Sequence, residues 1–213
     1  MRFILSILIL LFSFSFTFAQ HRSDVEVNKS NMSSKPALVT FGFMGYGYIP
    51  MEVDKDLIGT GGGGGLKAII NINRYFAIGF STSLTGAKSN YANMNNLTLL
   101  SDSRILFILQ RETGKYESGI VPWGGLGLGV MAGAGAYDVL TAEDMVGFNL
   151  SLMAGLRYNF KMAYIGFGAE YMFASLAGDL VYKNYMYPYR EYRQPVTMNP
   201  SGFNIFGEIG FRF

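Results

Sequence analysis

The stretch that most constrains the fold is 203–213, FNIFGEIGFRF, in which apolar and polar side chains alternate with a period of two. A soluble antiparallel sheet shows this alternation when one face packs on a core and the other meets water. Repeated around a closed sheet in an exported protein, it describes a barrel with lipid outside and polar groups inside. We favour the second interpretation. One face carries Phe203, Ile205, Gly207, Ile209, Phe211 and Phe213, and the other carries Asn204, Phe206, Glu208, Gly210 and Arg212.

The N-terminal segment predicts export. Residues 1–19 combine a basic start with a long apolar run that ends on the small residue Ala19, which is typical of a secretory signal peptide cleaved before Gln20. An uncleaved anchor helix is the alternative, although the run is short for a span and polar residues follow at once. No cysteine follows the run, so we expect no lipoprotein anchor. We expect a flexible periplasmic tail over 20–35 and one domain over 36–213.

Composition narrows the class of protein. Of 213 residues, 50% are apolar and 15% are charged, with 27 glycines and no cysteine. Beyond residue 19, no stretch approaches the roughly 20 apolar residues of a transmembrane helix. Membrane spans would therefore be strands, which must close on themselves because unpaired backbone groups cannot face hydrocarbon. The net charge of +2 offers no polyanion-binding surface, so we expect no nucleic-acid partner. Without cysteine, disulfides and thiolate metal sites are excluded.

Seven further segments share the alternation of the last one. We predict an all-β fold, a transmembrane antiparallel up-and-down β-barrel of about eight strands. The fourth strand is the least regular, and a short helix is the alternative there. Short periplasmic turns and long outer loops are typical of such barrels. The predicted strands are 38–48, 66–73, 76–84, 97–111, 120–134, 146–160, 163–173 and 203–213; tight turns lie at 73–74, 112–118 and 161–162, and longer loops at 49–60, 85–96, 135–145 and 177–202.

Two glycine-rich segments match nucleotide-binding motifs only in their spelling. The five glycines at 61–65 lack the Gly-Lys-Ser/Thr ending and the following helix of a phosphate-binding loop. GLGLG at 125–129 is likewise not followed by a helical pattern, so we reject a dinucleotide fingerprint. We predict instead that 61–65 permits sharp strand coiling and close backbone approach in a small barrel. The glycines of the fifth strand would leave room for other side chains in a narrow lumen.

The assignment of faces directs seven charged side chains into the predicted lumen. Eight strands leave an interior just wide enough for side chains, and a buried charge without a partner is costly. We therefore predict a structural ion-pair network that plugs the barrel. A narrow ion path or a pH-dependent gate is the alternative. The four cations and three anions are Lys67, Asp102, Arg104, Arg157, Glu170, Glu208 and Arg212.

The predicted loop 177–202 is rich in tyrosine and basic residues. Amphipathic rings favour the membrane interface, so the tyrosines could form an aromatic girdle or extend the barrel wall. The alternative is a binding surface, since Tyr and Arg are favoured anchors in recognition sites and the cations suit lipopolysaccharide phosphates. The candidate surface comprises Tyr185, Tyr187, Tyr189, Arg190, Tyr192 and Arg193, beside Tyr182 and Lys183.

Residues for catalysis are scarce in this sequence. The single histidine, His21, lies in the predicted tail next to the signal cleavage point. Hydrolases that use histidine as a base or orienter are therefore disfavoured, and no acids lie at a persuasive spacing for a carboxylate pair. Histidine and cysteine metal sites lack their ligands. We predict no enzyme activity, no metal site and no cofactor.

Several of these features together resemble a known group of proteins. The signal peptide, the glycine-patterned fifth strand, the hairpin FNLSLMAGLRYNFKMAYIGFGAEYMF and the terminal Phe213 are similar to small eight-stranded outer-membrane proteins of the porin-like, OmpX/OmpW-type barrel superfamily. The resemblance covers most of the mature chain and implies an integral outer-membrane location in a Gram-negative-type bacterium. It also implies that the last strand carries the signal read by the barrel-assembly machinery, on Phe203, Ile205, Ile209, Phe211 and Phe213.

Three functions are compatible with these patterns. The leading expectation is a monomeric, non-enzymatic outer-membrane barrel with a structural or surface-interaction role through its outer loops. Its partners would be outer-membrane lipid, lipopolysaccharide and an external ligand that the sequence does not name. The second is a small porin-like barrel that passes small solutes or hydrophobic molecules. The third is a secreted soluble β-barrel binding protein.

Overall fold

The computed structural model of the protein describes residues 36–51, 58–89, 96–115, 117–137, 140–184 and 190–213. The predicted signal peptide and tail lie outside the described residues. In the described ranges, no helix is long and apolar enough to cross a bilayer. The strands, in chain order, are β1 (Val39–Pro50), β2 (Gly61–Asn71), β3 (Phe76–Ser89), β4 (Asn96–Gln110), β5 (Gly119–Tyr137), β6 (Leu140–Phe160), β7 (Ala163–Asn184), β8 (Arg190–Met198) and β9 (Gly202–Arg212).

These strands form one antiparallel sheet that closes into a barrel. Their order is β6-β5-β4-β3-β2-β1-β9-β7-β8, and an additional pairing of β6 with β7 closes the ring. That pairing is long, running from Phe160 opposite Ala163 to Leu140 opposite Tyr182. The predicted all-β antiparallel barrel is confirmed. The irregular fourth segment is a strand, β4, and the helical alternative is wrong.

The ninth strand arises because the last strand of the wall is interrupted. β9 pairs with the first half of β7, and β8 continues along the same side of β7, beginning with Met198 opposite Leu176. At the break, 199–201, a side chain replaces the backbone ladder. The Ser201 hydroxyl accepts a hydrogen bond from Ala174 N at 3.1 Å and donates one to Ala174 O at 3.3 Å. β8 and β9 therefore share one position, and eight positions surround the lumen, in agreement with the predicted number.

Several predicted loops are shorter than expected, because the strands continue past the apolar segments. The predicted loop 177–202 is largely strand, since β7 reaches Asn184 and β8 follows at Arg190. β5 and β6 leave only 138–139 between them, in place of the predicted loop 135–145. The predicted contrast between short turns and long loops is therefore wrong. Polar residues such as Glu143, Asp144, Ser175 and Asp179 interrupt the apolar residues in these extensions, so the regular alternation of hydropathy stops before the hydrogen-bonded ladder does.

The outside of the barrel wall is apolar and its inside is polar. Phe148, Leu109 and Phe167 are 77%, 66% and 64% exposed on the outer face, whereas Arg157 and Arg212 are 2% and 0% exposed in the lumen. A soluble sheet would bury the first set and expose the second. The predicted assignment of faces is therefore confirmed, and it places the apolar side chains where acyl chains would contact them.

Two aromatic pairs mark two levels on the outer face. Tyr158 packs edge-on against Phe160, and Tyr171 against Phe173, with ring centroids 4.5 Å apart in each pair. Phe173 lies opposite Leu150 on β6, so the two levels are ten residues apart along that strand. At about 3.3 Å per residue and a tilt of about 40°, this separation is about 25 Å, the height of the apolar band of an outer-membrane barrel. The pairs therefore lie where aromatic girdles are expected.

The five consecutive glycines form the first half of β2, which begins at Gly61 rather than at the predicted residue 66. Every second one faces the lumen and lies against the neighbouring strand. A Cβ on Gly63 would strike the carbonyl oxygen of Leu84 and would lie 2.9 Å from the Tyr46 hydroxyl. The predicted close backbone approach is confirmed. The strand start was not predictable from alternation, because glycine has no side chain to alternate.

We predict that Gly63→Ala destabilises the barrel and that Gly45→Ala does not. The new methyl group at residue 63 meets backbone, which cannot move aside without breaking the ladder, so we expect the free energy of unfolding to fall by about 1–3 kcal/mol. Gly45 is the matched control, because a Cβ there has nothing within 4 Å. Urea titration of the refolded protein in detergent micelles measures both changes. Equal effects at the two positions would contradict the proposed role of the glycine run.

Candidate functional site

All seven predicted lumen charges are buried. Their exposures lie between 0% for Arg212 and 6% for Asp102. They do not form a single network, however. Side-chain contacts divide them into an outer cluster, a central pair and a cluster at the turn end of the barrel.

The outer cluster is centred on Arg104. Its Nε donates to Asp102 Oδ1 at 3.1 Å, and its guanidinium also forms an ion pair with Glu170. Arg104 Nη1, the nitrogen that pairs with Glu170, also donates a hydrogen bond to Ser151 Oγ at 3.0 Å. Asn204 Nδ2 on β9 donates to Glu170 Oε2 at 3.4 Å. Residues from β4, β6, β7 and β9 therefore meet across the lumen.

The central pair joins Lys67 of β2 to Glu208 of β9. Two aromatic rings enclose the ammonium group. Lys67 Nζ lies 4.5 Å from the centroid of the Trp123 ring and 5.8 Å from that of Phe206. A cation over an aromatic face is attracted by the ring quadrupole, and more strongly when it is desolvated. The rings thus compensate part of the hydration that Lys67 loses on burial.

The turn-end cluster contains a residue that the sequence reasoning missed. Glu112, predicted to lie in a turn, is 2% exposed and forms ion pairs with Arg157 and Arg212, the latter at 2.9 Å. Asn159 Nδ2 donates to the same carboxylate at 2.7 Å. Glu112 lies just past β4 and keeps the inward parity of Arg104 and Gln110, but the predicted turn began at this residue, so the face assignment stopped one residue too early. The imbalance of four predicted cations and three anions was the available signal that an acid was missing.

Arg212 also closes the turn end of the barrel. Its guanidinium donates to the carbonyl oxygens of Lys161 at 2.7 Å, Gly114 at 3.1 Å and Thr113 at 3.2 Å. These acceptors belong to the β4–β5 and β6–β7 connections. One buried side chain from β9 therefore ties two turns together beneath the lumen, and the five donors of arginine suit it to that role.

Apolar side chains fill the spaces between and beyond the ionic clusters. One group surrounds Trp123 and Phe206 in the middle of the barrel. A second lies nearer the outer end and contains four methionines, Met131, Met145, Met172 and Met198. Methionine adapts to irregular gaps, which suits a core at the tapering mouth of a barrel.

Two interior cavities are small. One of about 20 Å³ lies among Lys67, Arg104 and Trp123, and one of about 10 Å³ lies beside Met145 and Met198. A water molecule requires roughly 10–15 Å³. Neither cavity is large enough for a solute, and side chains above and below separate them from each other.

Strands β6, β7 and β8 continue beyond the aromatic levels. We call Leu140–Asp144, Ser175–Asn184 and β8 the outer extension. In it, Arg193 Nη2 lies 2.9 Å from Glu191 and 3.8 Å from Glu143. The hydrogen bond that Arg193 Nε donates to Glu191 raises the pKa of the Arg193 guanidinium, so this group stays charged and already has an acidic partner. Tyr192 is 53% exposed.

The predicted loop surface is only partly described. Tyr192 and Arg193 belong to a strand, β8, which corrects their assignment to a loop. Arg190 begins the same strand. The other predicted members, Tyr185, Tyr187 and Tyr189, lie outside the described residues, so their part in a binding surface stays a prediction. Among the described residues, no three His, Cys, Asp or Glu side chains form a group that could hold a metal ion.

Comparisons with solved structures identify the fold. The chain is similar to the outer membrane protein OprG from Pseudomonas aeruginosa, with 12% identity, a TM-score of 0.59, and coverage of 86% of this chain and 99% of OprG. It is also similar to Neisserial surface protein A (NspA), with 13% identity, a TM-score of 0.53, and coverage of 82% of this chain and 96% of NspA. This chain has the fold of small outer-membrane β-barrels. No family profile and no curated protein matches its sequence.

The last strand, β9, has the orientation expected of an assembly signal. Ile205, Ile209, Phe211 and Phe213 are 50–59% exposed on the outer face, and Phe203 is half-buried on the same face. Its inward residues with side chains are Asn204, Phe206, Glu208 and Arg212. Asn204 contacts Glu170 on the neighbouring strand β7, and the other three contact partners on strands or connections farther around the barrel. Recognition of this strand by the assembly machinery stays a prediction.

We predict that Glu112→Gln destabilises the barrel. Removal of this carboxylate charge leaves Arg157 and Arg212 without their buried counterion. Breaking a buried pair in this way costs about 3–5 kcal/mol. The measurement is the urea midpoint in micelles, together with the compact form that survives SDS without boiling. Glu117→Gln is the control: this residue is exposed, and we expect a change within about 0.5 kcal/mol. Equal midpoints for the two variants would refute the role of Glu112.

Proposed function

We propose that the protein is an integral barrel of the bacterial outer membrane, that it is not an enzyme, and that it acts through its outer extension. The observation that carries the proposal is the filled lumen. Two ionic clusters, the Lys67–Glu208 pair and two apolar groups occupy it in layers. A barrel with such an interior exchanges little with its surroundings through the centre, so its outer end is the part available to partners.

The outer extension supports a role at the cell surface. β7 has 22 residues and β9 has 11. At about 3.3 Å per residue and a tilt of about 40°, eleven residues span about 28 Å, close to the apolar band, whereas 22 residues span about twice that height. The described outer-extension residues with exposed side chains include Asp144, Ser175, Gln194 and Thr197. A polar sheet that continues past the bilayer is a suitable platform for contact with external molecules.

The partners of the outer extension belong to this proposal. Lipid contacts the outer face of the wall, and lipopolysaccharide would surround the extension. Arg193 is already paired with Glu191 and Glu143, so the described residues give it little capacity for a lipopolysaccharide phosphate. An uncharged surface contact through Tyr192 fits the observed geometry better. The barrel would be monomeric. The proposal specifies its external ligand only as a molecule that binds the exposed side chains of the outer extension.

Two other functions receive less support. Transport of small or hydrophobic solutes would require a passage, and the two interior cavities hold about 20 and 10 Å³. A secreted soluble barrel would require a polar outer wall, yet Phe148, Leu109 and Ile120 are 77%, 66% and 66% exposed. Large contiguous apolar surfaces of this kind are typical of contact with membranes.

We predict that the purified protein does not conduct ions in planar lipid bilayers. Among the described residues, the buried charges are paired with each other, and the two interior cavities measure about 20 and 10 Å³. An ion that entered would lose its hydration without a compensating partner, which is costly. Current recordings at both polarities measure this property, with an open bacterial porin reconstituted in the same way as the control. Clear single-channel steps from the folded protein would overturn the closed-lumen argument and favour the transport alternative.

We predict that single cysteines report the orientation of the barrel, since the natural chain has none. Gln194→Cys on the outer extension should react with a membrane-impermeant maleimide on intact cells. Ser118→Cys at the turn end is the matched control, since Ser118 is also exposed in the fold, and it should react only after the outer membrane is permeabilised. Labelling in the reverse pattern would contradict the proposed orientation, and recovery of the protein in soluble periplasm would contradict the membrane location.

A further inference from the structure

The cavity of about 20 Å³ lies in the middle of the lumen, between the central pair and the outer cluster. We call it the lumen chamber. Lys67, Arg104, Trp123, Glu170 and Asn204 line it, together with Ser81 and several apolar side chains. It therefore touches both the Lys67–Glu208 pair and the Arg104–Glu170 pair.

Three buried polar atoms on the wall of the chamber lack a hydrogen-bond partner. They are Ser81 Oγ, Trp123 Nε1 and Asn204 Oδ1. Their residues are 2%, 7% and 5% exposed, so none of them reaches bulk water. Leaving a buried donor or acceptor unpaired costs roughly 1–3 kcal/mol for each group. Three such groups around one cavity therefore point to a ligand inside it.

The chemistry of the three groups defines that ligand. The Trp123 indole only donates, the Asn204 carbonyl oxygen only accepts, and the Ser81 hydroxyl does both. The ligand must then both accept and donate. A simple anion cannot donate to Asn204 and would be repelled by Glu170, and a metal cation cannot accept from Trp123 and would be repelled by Lys67 and Arg104. The volume is that of one or two water molecules.

We propose that the lumen chamber is a built binding site for ordered water, bridging Ser81, Trp123 and Asn204. The methionine-containing apolar group lies on the outer side of the chamber, and the Glu112 cluster lies at the turn end. The water supplies polar contacts between the two ion pairs that line the chamber. This lowers the desolvation cost of burying them and makes the chamber part of the folded structure rather than a segment of a channel.

Trp123 provides a direct test, because it is the only tryptophan in the chain. The full-length 15N-labelled protein in micelles gives one indole N–H resonance. We expect that resonance to show a cross-peak to water whose sign inverts between laboratory-frame and rotating-frame experiments, which identifies a long-lived neighbouring water rather than hydrogen exchange. Absence of such a cross-peak in the folded protein would overturn the proposal.

Two variants make the test specific to the chamber. Ser81→Val fills the cavity and removes one water partner, and we expect the cross-peak to fall at least fivefold while the barrel stays folded. Ser101→Val makes the same change on the exposed face of β4 and should leave the cross-peak unchanged. If Ser81→Val does not fold, Asn204→Leu, which removes the acceptor, takes its place. An undiminished cross-peak in a folded chamber variant, or an indole shift that follows sodium or chloride concentration, would refute water as the ligand.

Discussion

Closure of the backbone hydrogen-bond ladder is the constraint on which the rest of this structure depends. In hydrocarbon, an unpaired N–H or C=O costs several kcal/mol, so strands can span only when each has two neighbours. Here the pairing of β6 with β7 completes the ring. Where β9 ends, β8 continues along β7, and the Ser201 hydroxyl bridges the gap. The interruption is tolerated because a side chain satisfies the backbone groups that the break leaves open.

A ring of eight positions then determines what the interior can contain. The space is wide enough for side chains and little else, so every inward residue meets others across the lumen. The charges balance, with Lys67, Arg104, Arg157 and Arg212 facing Asp102, Glu112, Glu170 and Glu208. Balance is required because an uncompensated buried charge is far more costly than a paired one. Apolar side chains lie between and beyond the clusters. The interior is therefore filled with side chains, and the charged groups lie inside the barrel while the outer face of the wall is apolar.

This division of roles also bears on function. The wall suits the membrane, and the core holds the wall in one shape. Inward residues of the outer extension, such as Leu176 and Met198, belong to that core, whereas its exposed residues are required by neither membrane nor core. Its polar strands β7 and β8 are supported by the same ladder as the spanning region. A surface built on such a rigid support keeps its shape without a ligand, which reduces the entropy lost on binding.

Alternation of side chains determined much of this structure from the sequence alone. Lipid on one side and a narrow lumen on the other impose a period of two, so strand identity, facing and the burial of seven charged residues such as Arg157 and Glu170 could be predicted. Features outside that alternation required the tertiary structure: the glycine start of β2, the polar ends of β6 and β7, and β8. Glu112 keeps the inward parity of β4 but lies past its end, and only the closure of the ring brings it beneath Arg157 and Arg212. The pairing of the charges and the position of the proposed water site depend on distances between side chains across the lumen. These distances join strands that are far apart in the chain, so the local sequence cannot predict them.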